Sequence, residues 1–173
     1  MIDWKREIAV NHLVKQKIAK VQTVHSWEHP FPEVAASEQA VGSIEAQLGF
    51  KLDKDHRDFL RHANGWKSFY QAVDMFGVAD LVGGPRHQRA MELLDSLEEL
   101  EPLCGFAREH LLPIAVSNDD IDVFVISKPS ANPHGAVLWL AGGLIDRFPS
   151  FSEWFLAMID YNRHIYQQIT NSH

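Results

Sequence analysis

Apolar residues recur along this chain with two different periods, and the change of period divides it. From Asp3 to about Val21, the positions Val10, Val14, Ile18 and Val21 return at helical spacing and predict a first helix with those residues inward. Trp27-Glu28-His29-Pro30-Phe31-Pro32 then reads as an extended linker, because closely spaced prolines remove backbone donors and restrict their neighbours. Ser37 supplies the cap of a second helix in which Val41, Ile44 and Leu48 share a face, with Gly49 as its stop. Asp53 caps a third helix that runs to Ala63 with Phe59 and Leu60 inward, closed by Asn64-Gly65, both of which tolerate the left-handed conformation. The segment from Trp66 to Leu81 is rich in aromatic and β-branched residues and predicts one or two short strands. Pro85 suits the first turn of a fourth helix, along which Ala90, Met91, Leu94 and Leu97 face inward with Leu93 and Leu100 beside them, ending before Pro102.

The period then shortens. Leu112-Pro113-Ile114-Ala115-Val116-Ser117 and Ile121-Asp122-Val123-Phe124-Val125-Ile126 flank Asn118-Asp119-Asp120, a turn composition, and predict a hairpin with Asp119 near its tip. In it, Val123 and Val125 face opposite to Phe124. After a loop from Lys128 to Gly135 comes Ala136-Val137-Leu138-Trp139-Leu140, with Gly142-Gly143 as a hairpin turn and Leu144 to Phe148 as the returning strand. Ser150 and Glu153 form a capping box that opens a last helix, whose stripe is Trp154, Met158, Tyr161, Ile165 and Ile169. Helices first, sequential hairpins next and a closing helix argue for one α+β domain: about five helices around an antiparallel sheet of about five or six strands.

A chain of 173 residues with 46% hydrophobic and 23% charged residues has the size and balance of one globular domain, which excludes a disordered chain. Cys104 is the sole cysteine, so no internal disulfide forms, in keeping with a reducing compartment. No apolar stretch resembles a signal peptide or approaches the ~20 residues of a membrane span, and the expected location is the cytoplasm. The net charge of −7 is unevenly placed. Up to His25 the bases Lys5, Arg6, Lys15, Lys17 and Lys20 outnumber the acids Asp3 and Glu7, so residues 1–25 read as a basic N-terminal helix and the remainder is strongly acidic. Such a field disfavours nucleic acid and membrane surfaces as partners and suits a basic protein.

The chemistry in the chain is sparse. Asp119, Asp120 and Asp122 crowd one turn but lack the alternating oxygens, the glycine and the later glutamate of a calcium loop, so a solvated turn is the better reading. His25 and His29 stand four apart, yet Pro30 argues against the helix that would aim both at one metal. His56 and His62, six apart on a helix, lie on different faces. Cys104 has no electropositive neighbourhood and reads as a buried structural thiol. Gly83-Gly84-Pro85-Arg86 fails the phosphate-loop templates and Ser117 lies in no nucleophile elbow. No catalytic set, metal site or cofactor site is expected.

Four blocks carry a resemblance. They are Ile44-Glu45-Ala46-Gln47-Leu48-Gly49-Phe50-Lys51-Leu52; Phe59-Leu60-Arg61-His62-Ala63-Asn64-Gly65-Trp66; Leu112-Pro113-Ile114-Ala115 with the acidic turn and Val123-Phe124-Val125-Ile126; and Phe148-Pro149-Ser150-Phe151-Ser152-Glu153-Trp154-Phe155. In this order and spacing, over about residues 37 to 165, the chain resembles the SUKH superfamily, in its branch similar to the fungal Smi/Knr cell-wall regulators. Asp53 stands where that family commonly has proline, and Ile121 where it has glycine. The resemblance implies a mixed sheet surrounded by helices and no enzymatic activity. For many bacterial members it implies an immunity protein that binds and blocks a toxin, often a nuclease or deaminase, inside the producing cell. Other members are regulatory or scaffold proteins, so the fold alone does not select between these roles.

A docking surface is suggested by charge. Between Ala90 and Ala107 the chain carries Glu92, Asp95, Glu98, Glu99 and Glu101 and no lysine or arginine. With Met91, Leu94 and Leu97 inward, Glu92, Asp95, Glu98 and Glu99 are expected wholly or partly in solvent, with Asp119, Asp120 and Asp122 beside them. An exposed face near Trp66 is the alternative location.

Overall fold

The computed structural model describes residues 1–23 and 27–172. Asp3 caps α1 (Trp4–Val21), Ser37 caps α2 (Glu38–Leu48), and Asp53 caps α3 (Lys54–Leu60), each by accepting a backbone N–H in the first turn. Strands β1 (Trp66–Tyr70) and β2 (Val73–Met75) follow, then a 3-10 turn, α4 (Pro85–Asp95) and the short α5 (Leu100–Cys104). The chain continues through β3 (Leu111–Ser117), β4 (Val123–Ser127), β5 (Val137–Leu140) and β6 (Leu144–Phe148) to α6 (Phe151–Asn171). The six strands lie in chain order and every neighbouring pair is antiparallel, so the sheet is a meander and not mixed. Among the described residues no helix is long and apolar enough to cross a membrane.

Strands β3, β4 and β5 are buried along their whole length, which requires cover on both faces. Phe124 points to α6, its ring 5.1 Å from Trp139 and 5.4 Å from Trp154. Val123 and Val125 point the other way, as predicted, and that face is covered by α4. The predicted hairpin is present, with Leu112 opposite Ile126 and Val116 opposite Val123. Ile121 stands in its turn without positive φ. The turn at Gly142-Gly143 and the cap at Ser150 also form where expected.

Three expectations need correction. The fourth helix does not run on to Pro102. It stops at Asp95, Glu99 takes a left-handed φ of 54°, and α5 starts in a new direction that buries both Leu100 and Cys104. Pro102 lies in the first turn of α5, where its missing N–H would have no helical partner. Helix α3 ends at Leu60 and not at Ala63, because the N–H groups of His62 and Ala63 both converge on the Phe59 carbonyl. Of the Asn64-Gly65 pair only Gly65 is left-handed, and a side chain there would meet the Gly77 nitrogen at 2.6 Å, so β1 can enter the sheet here only through glycine.

The third correction concerns α1. Val10 and Val14 are half-buried, whereas the fully buried row is Trp4, Asn11, Lys15 and Ile18. This row lies against α6 and the outer edge of β1. The Lys15 ammonium donates to the Ser68 carbonyl, and Asn162 of α6 donates to the Phe69 carbonyl at 2.9 Å and to the Asn11 side chain at 2.9 Å. Lys15, one of the bases that make residues 1–25 positive, is 1% exposed.

Candidate protein-binding surface

The α4–α5 segment carries its acids outward because its apolar residues are consumed inside. Ala90 and Leu94 are fully buried, Met91, Leu93 and Leu97 are half-buried, and Glu92, Asp95, Glu98, Glu99 and Glu101 are all exposed. The nearby arginines are engaged elsewhere. Arg86 pairs with Asp74 at 3.0 Å, and Arg89 donates to the carbonyls of Ser117 and Asp120 at 2.5 and 2.7 Å. Arg147 donates to the Cys104 carbonyl at the end of α5. Arg108 alone reaches the strip, 3.8 Å from the Asp95 carboxylate, and it comes from outside the acidic segment. Among the described residues no ion pair involves Glu92, Glu98, Glu99 or Glu101. Five acids with a single basic contact leave a local negative field that no internal pairing cancels.

The aspartate turn divides. Asp119 and Asp120 are exposed at its tip, where the Ser117 hydroxyl accepts from the Asp120 N–H at 3.0 Å. Arg89 ties this tip to the first half of α4, so both carboxylates lie at the opposite end of that helix from Glu98 and Glu99. Asp122 shares the Phe124 face of β4 instead, half-buried, and accepts from the Trp139 indole at 2.6 Å. Burial raises its pKa, and the carboxylates of Asp120 and Asp119 push the same way against the lowering effect of the Trp139 hydrogen bond. The fold thus ties the backbone of this tip to α4 and turns Asp122 toward Trp139, with all three aspartates lining one pocket beside Gln71.

Trp66 is corrected outright. It is 0% exposed, with its indole N–H donating to the Pro30 carbonyl at 3.1 Å, and offers no surface to a partner. The linker before α2 folds back over β1 and covers it, a packing that no local pattern at Trp66 announces. Arg86 and Arg89 were likewise missed. Their one-turn spacing marks a common face, but nothing local says that the face meets the sheet end.

His29, His56 and Cys104 are engaged in packing. His25 lies outside the described residues. The His29 ring accepts from Lys15 at 3.3 Å through Nδ1 and donates to Gln22 at 3.0 Å through Nε2, and burial with the Lys15 cation beside it lowers its pKa to about 4. His56 is buried on the Phe151 ring, 4.8 Å away, and burial lowers its pKa to about 3, whereas His62 is exposed. Cys104 is buried, its thiol directed at the Phe106 carbonyl at 3.6 Å. Among the described residues no group of three or more histidine, cysteine, aspartate or glutamate side chains is arranged to hold a metal ion.

No curated protein matches the chain. Residues 35–157 match the model of the SMI1 / KNR4 family (SUKH-1), a span that takes in everything from the linker before α2 to the first two turns of α6. With most of the chain matched and the antiparallel sheet and helices in place, the chain belongs to the SMI1 / KNR4 family (SUKH-1).

Proposed function

We propose that this chain is a non-catalytic, cytoplasmic immunity protein that binds and neutralises a basic toxin, of the nuclease or deaminase kind, through the acidic strip on α4 and α5. Membership of the family fits immunity roles and Smi/Knr-like protein-binding roles alike. The observation that favours a basic partner is the exposure of Glu92, Asp95, Glu98, Glu99 and Glu101 while Arg86 and Arg89 are held by Asp74 and by backbone carbonyls. A nuclease needs a cationic cleft to hold phosphate, and a strip of uncompensated carboxylates complements such a cleft and steers its approach. Asp119 and Asp120 extend the field along α4; Asp122 and Trp66 have no part in it.

The test begins with the partner that co-purifies with the chain from its native cell. Expressed alone, that partner is expected to arrest growth, and co-expression of this chain is expected to restore it. Glu98→Lys with Glu99→Lys is then expected to slow association about tenfold at low salt, with the wild-type rate falling toward the mutant rate as salt rises. The thermal midpoint is expected to hold, since both side chains are exposed. A partner harmless to cells points to a regulatory or scaffold role, and a double mutant that associates at the wild-type rate removes the strip from the interface.

A further inference from the structure

Among the described residues, strand β6 ends the sheet and pairs with β5 alone. Its central residues Ile145, Asp146 and Arg147 are all exposed, unlike those of any other strand. Two different surfaces flank this open edge. On the α6 face lies a groove of about 390 Å³ lined by Asp146, Phe148, Ala157, Asp160, Tyr161 and His164. Phe148, Ala157 and Tyr161 give it apolar surface, and Asp146 and Asp160 bring carboxylates, the latter paired with Arg163 at 2.6 Å. On the opposite face Ile145 is 53% exposed, beside Arg147, whose guanidinium is held by the Cys104 carbonyl and lies 5.5 Å over the Phe106 ring.

An extended segment laid against β6 would place alternate side chains on these two faces. The groove face suits a long aliphatic stem with a cationic head, the stem on Ala157 and Tyr161 and the charge at Asp146. The other face suits a small β-branched side chain against Ile145. We infer that the β6 edge is a docking site for an extended segment of a protein partner, bound by strand addition and carrying alternating cationic and β-branched residues. A second copy of this chain is a poor occupant, because antiparallel pairing of two β6 strands about their central residue sets Asp146 against Asp146. The Asp146 carboxylate accepts from the Arg147 N–H at 2.7 Å, a charge on the edge that discourages unselective pairing and that an incoming cation draws away. The inference is independent of the acidic strip.

The test is a nuclear magnetic resonance titration of the full chain with a blocked Thr-Arg-Val-Arg-Val-Arg-Thr peptide. Saturable amide shifts are expected at Ile145, Asp146 and Arg147 and along residues 157–164. Three changes are each expected to weaken the binding about tenfold: glutamate for every arginine in the peptide, N-methylation of its alternate amides on the pairing edge, and Ile145→Lys in the protein. The last is exposed and should leave the melting temperature unchanged. Shifts confined to residues 92–101, equal binding of the N-methylated peptide, or no shifts at millimolar peptide would each overturn the proposal. None of these results depends on whether a toxin uses the acidic strip.

Discussion

At one edge of the sheet the Ser68 and Phe69 carbonyls of β1 receive hydrogen bonds from Lys15 and Asn162, while at the other edge β6 has no further strand among the described residues and holds its own Arg147 N–H with Asp146. Both are answers to the same liability, since an open edge is a template for pairing. The β1 answer is burial: Asn11, Lys15 and Asn162 are 0%, 1% and 2% exposed, and the edge is sealed under two helices. The β6 answer is charge, which leaves the edge accessible. All three sealing side chains lie outside residues 35–157, so the closed edge is built by parts of the chain beyond the family match. Burial commits an edge to structure, whereas charge leaves it free to bind.

The sheet centre sets the scale for tests of this contrast. Phe124→Asp puts an unpaired carboxylate between Trp139 and Trp154, and the expected result is loss of the cooperative unfolding transition in circular dichroism. A mutant that still melts cooperatively would mean that the α6 face tolerates a charge.

The sealed edge comes next. Asn162→Leu orphans the Phe69 carbonyl and the Asn11 side chain, and is expected to cost about 2–4 kcal/mol in urea denaturation. Lys15→Met also orphans a carbonyl, but it removes a buried ammonium whose pKa burial has already lowered to about 8, so its cost is expected to be smaller than that of Asn162→Leu. The reverse order would show that the ammonium, not the amide, holds the edge.

Acid is a graded probe. His29 and His56 are held neutral on the sealed side of the molecule, with pKa values near 4 and 3 against an ordinary 6.5. As pH falls below 6.5 the unfolded chain takes up protons that the folded chain refuses, so stability is complete above pH 6.5 and declines toward pH 3. For His56 the slope is about 1.4 kcal/mol per pH unit, and His56→Gln is expected to flatten the measured profile by that amount whatever its effect at neutral pH. An unchanged profile would assign the acid sensitivity elsewhere.

The sequence by itself determined the local elements. Ser37, Asp53 and Ser150 cap their helices with partners two or three residues away, and the turns at Asn118-Asp119-Asp120 and Gly142-Gly143 pair strands adjacent in the chain. The exposure of Glu92, Asp95, Glu98 and Glu99 was legible too, because an amphipathic helix with inward leucines leaves its acids no other side. Only the tertiary structure decided the break at Glu99, which depends on Leu100 and Cys104 finding the core in a direction that helix α4 does not follow. It also decided that Trp66 is covered, that Asp122 turns toward Trp139, and that Lys15 and Asn11 belong to the interior. Lys15 meets Ser68 across 53 residues and Asn11 meets Asn162 across 151. A polar residue is buried only where such a distant partner satisfies it, and no local periodicity encodes the arrival of that partner.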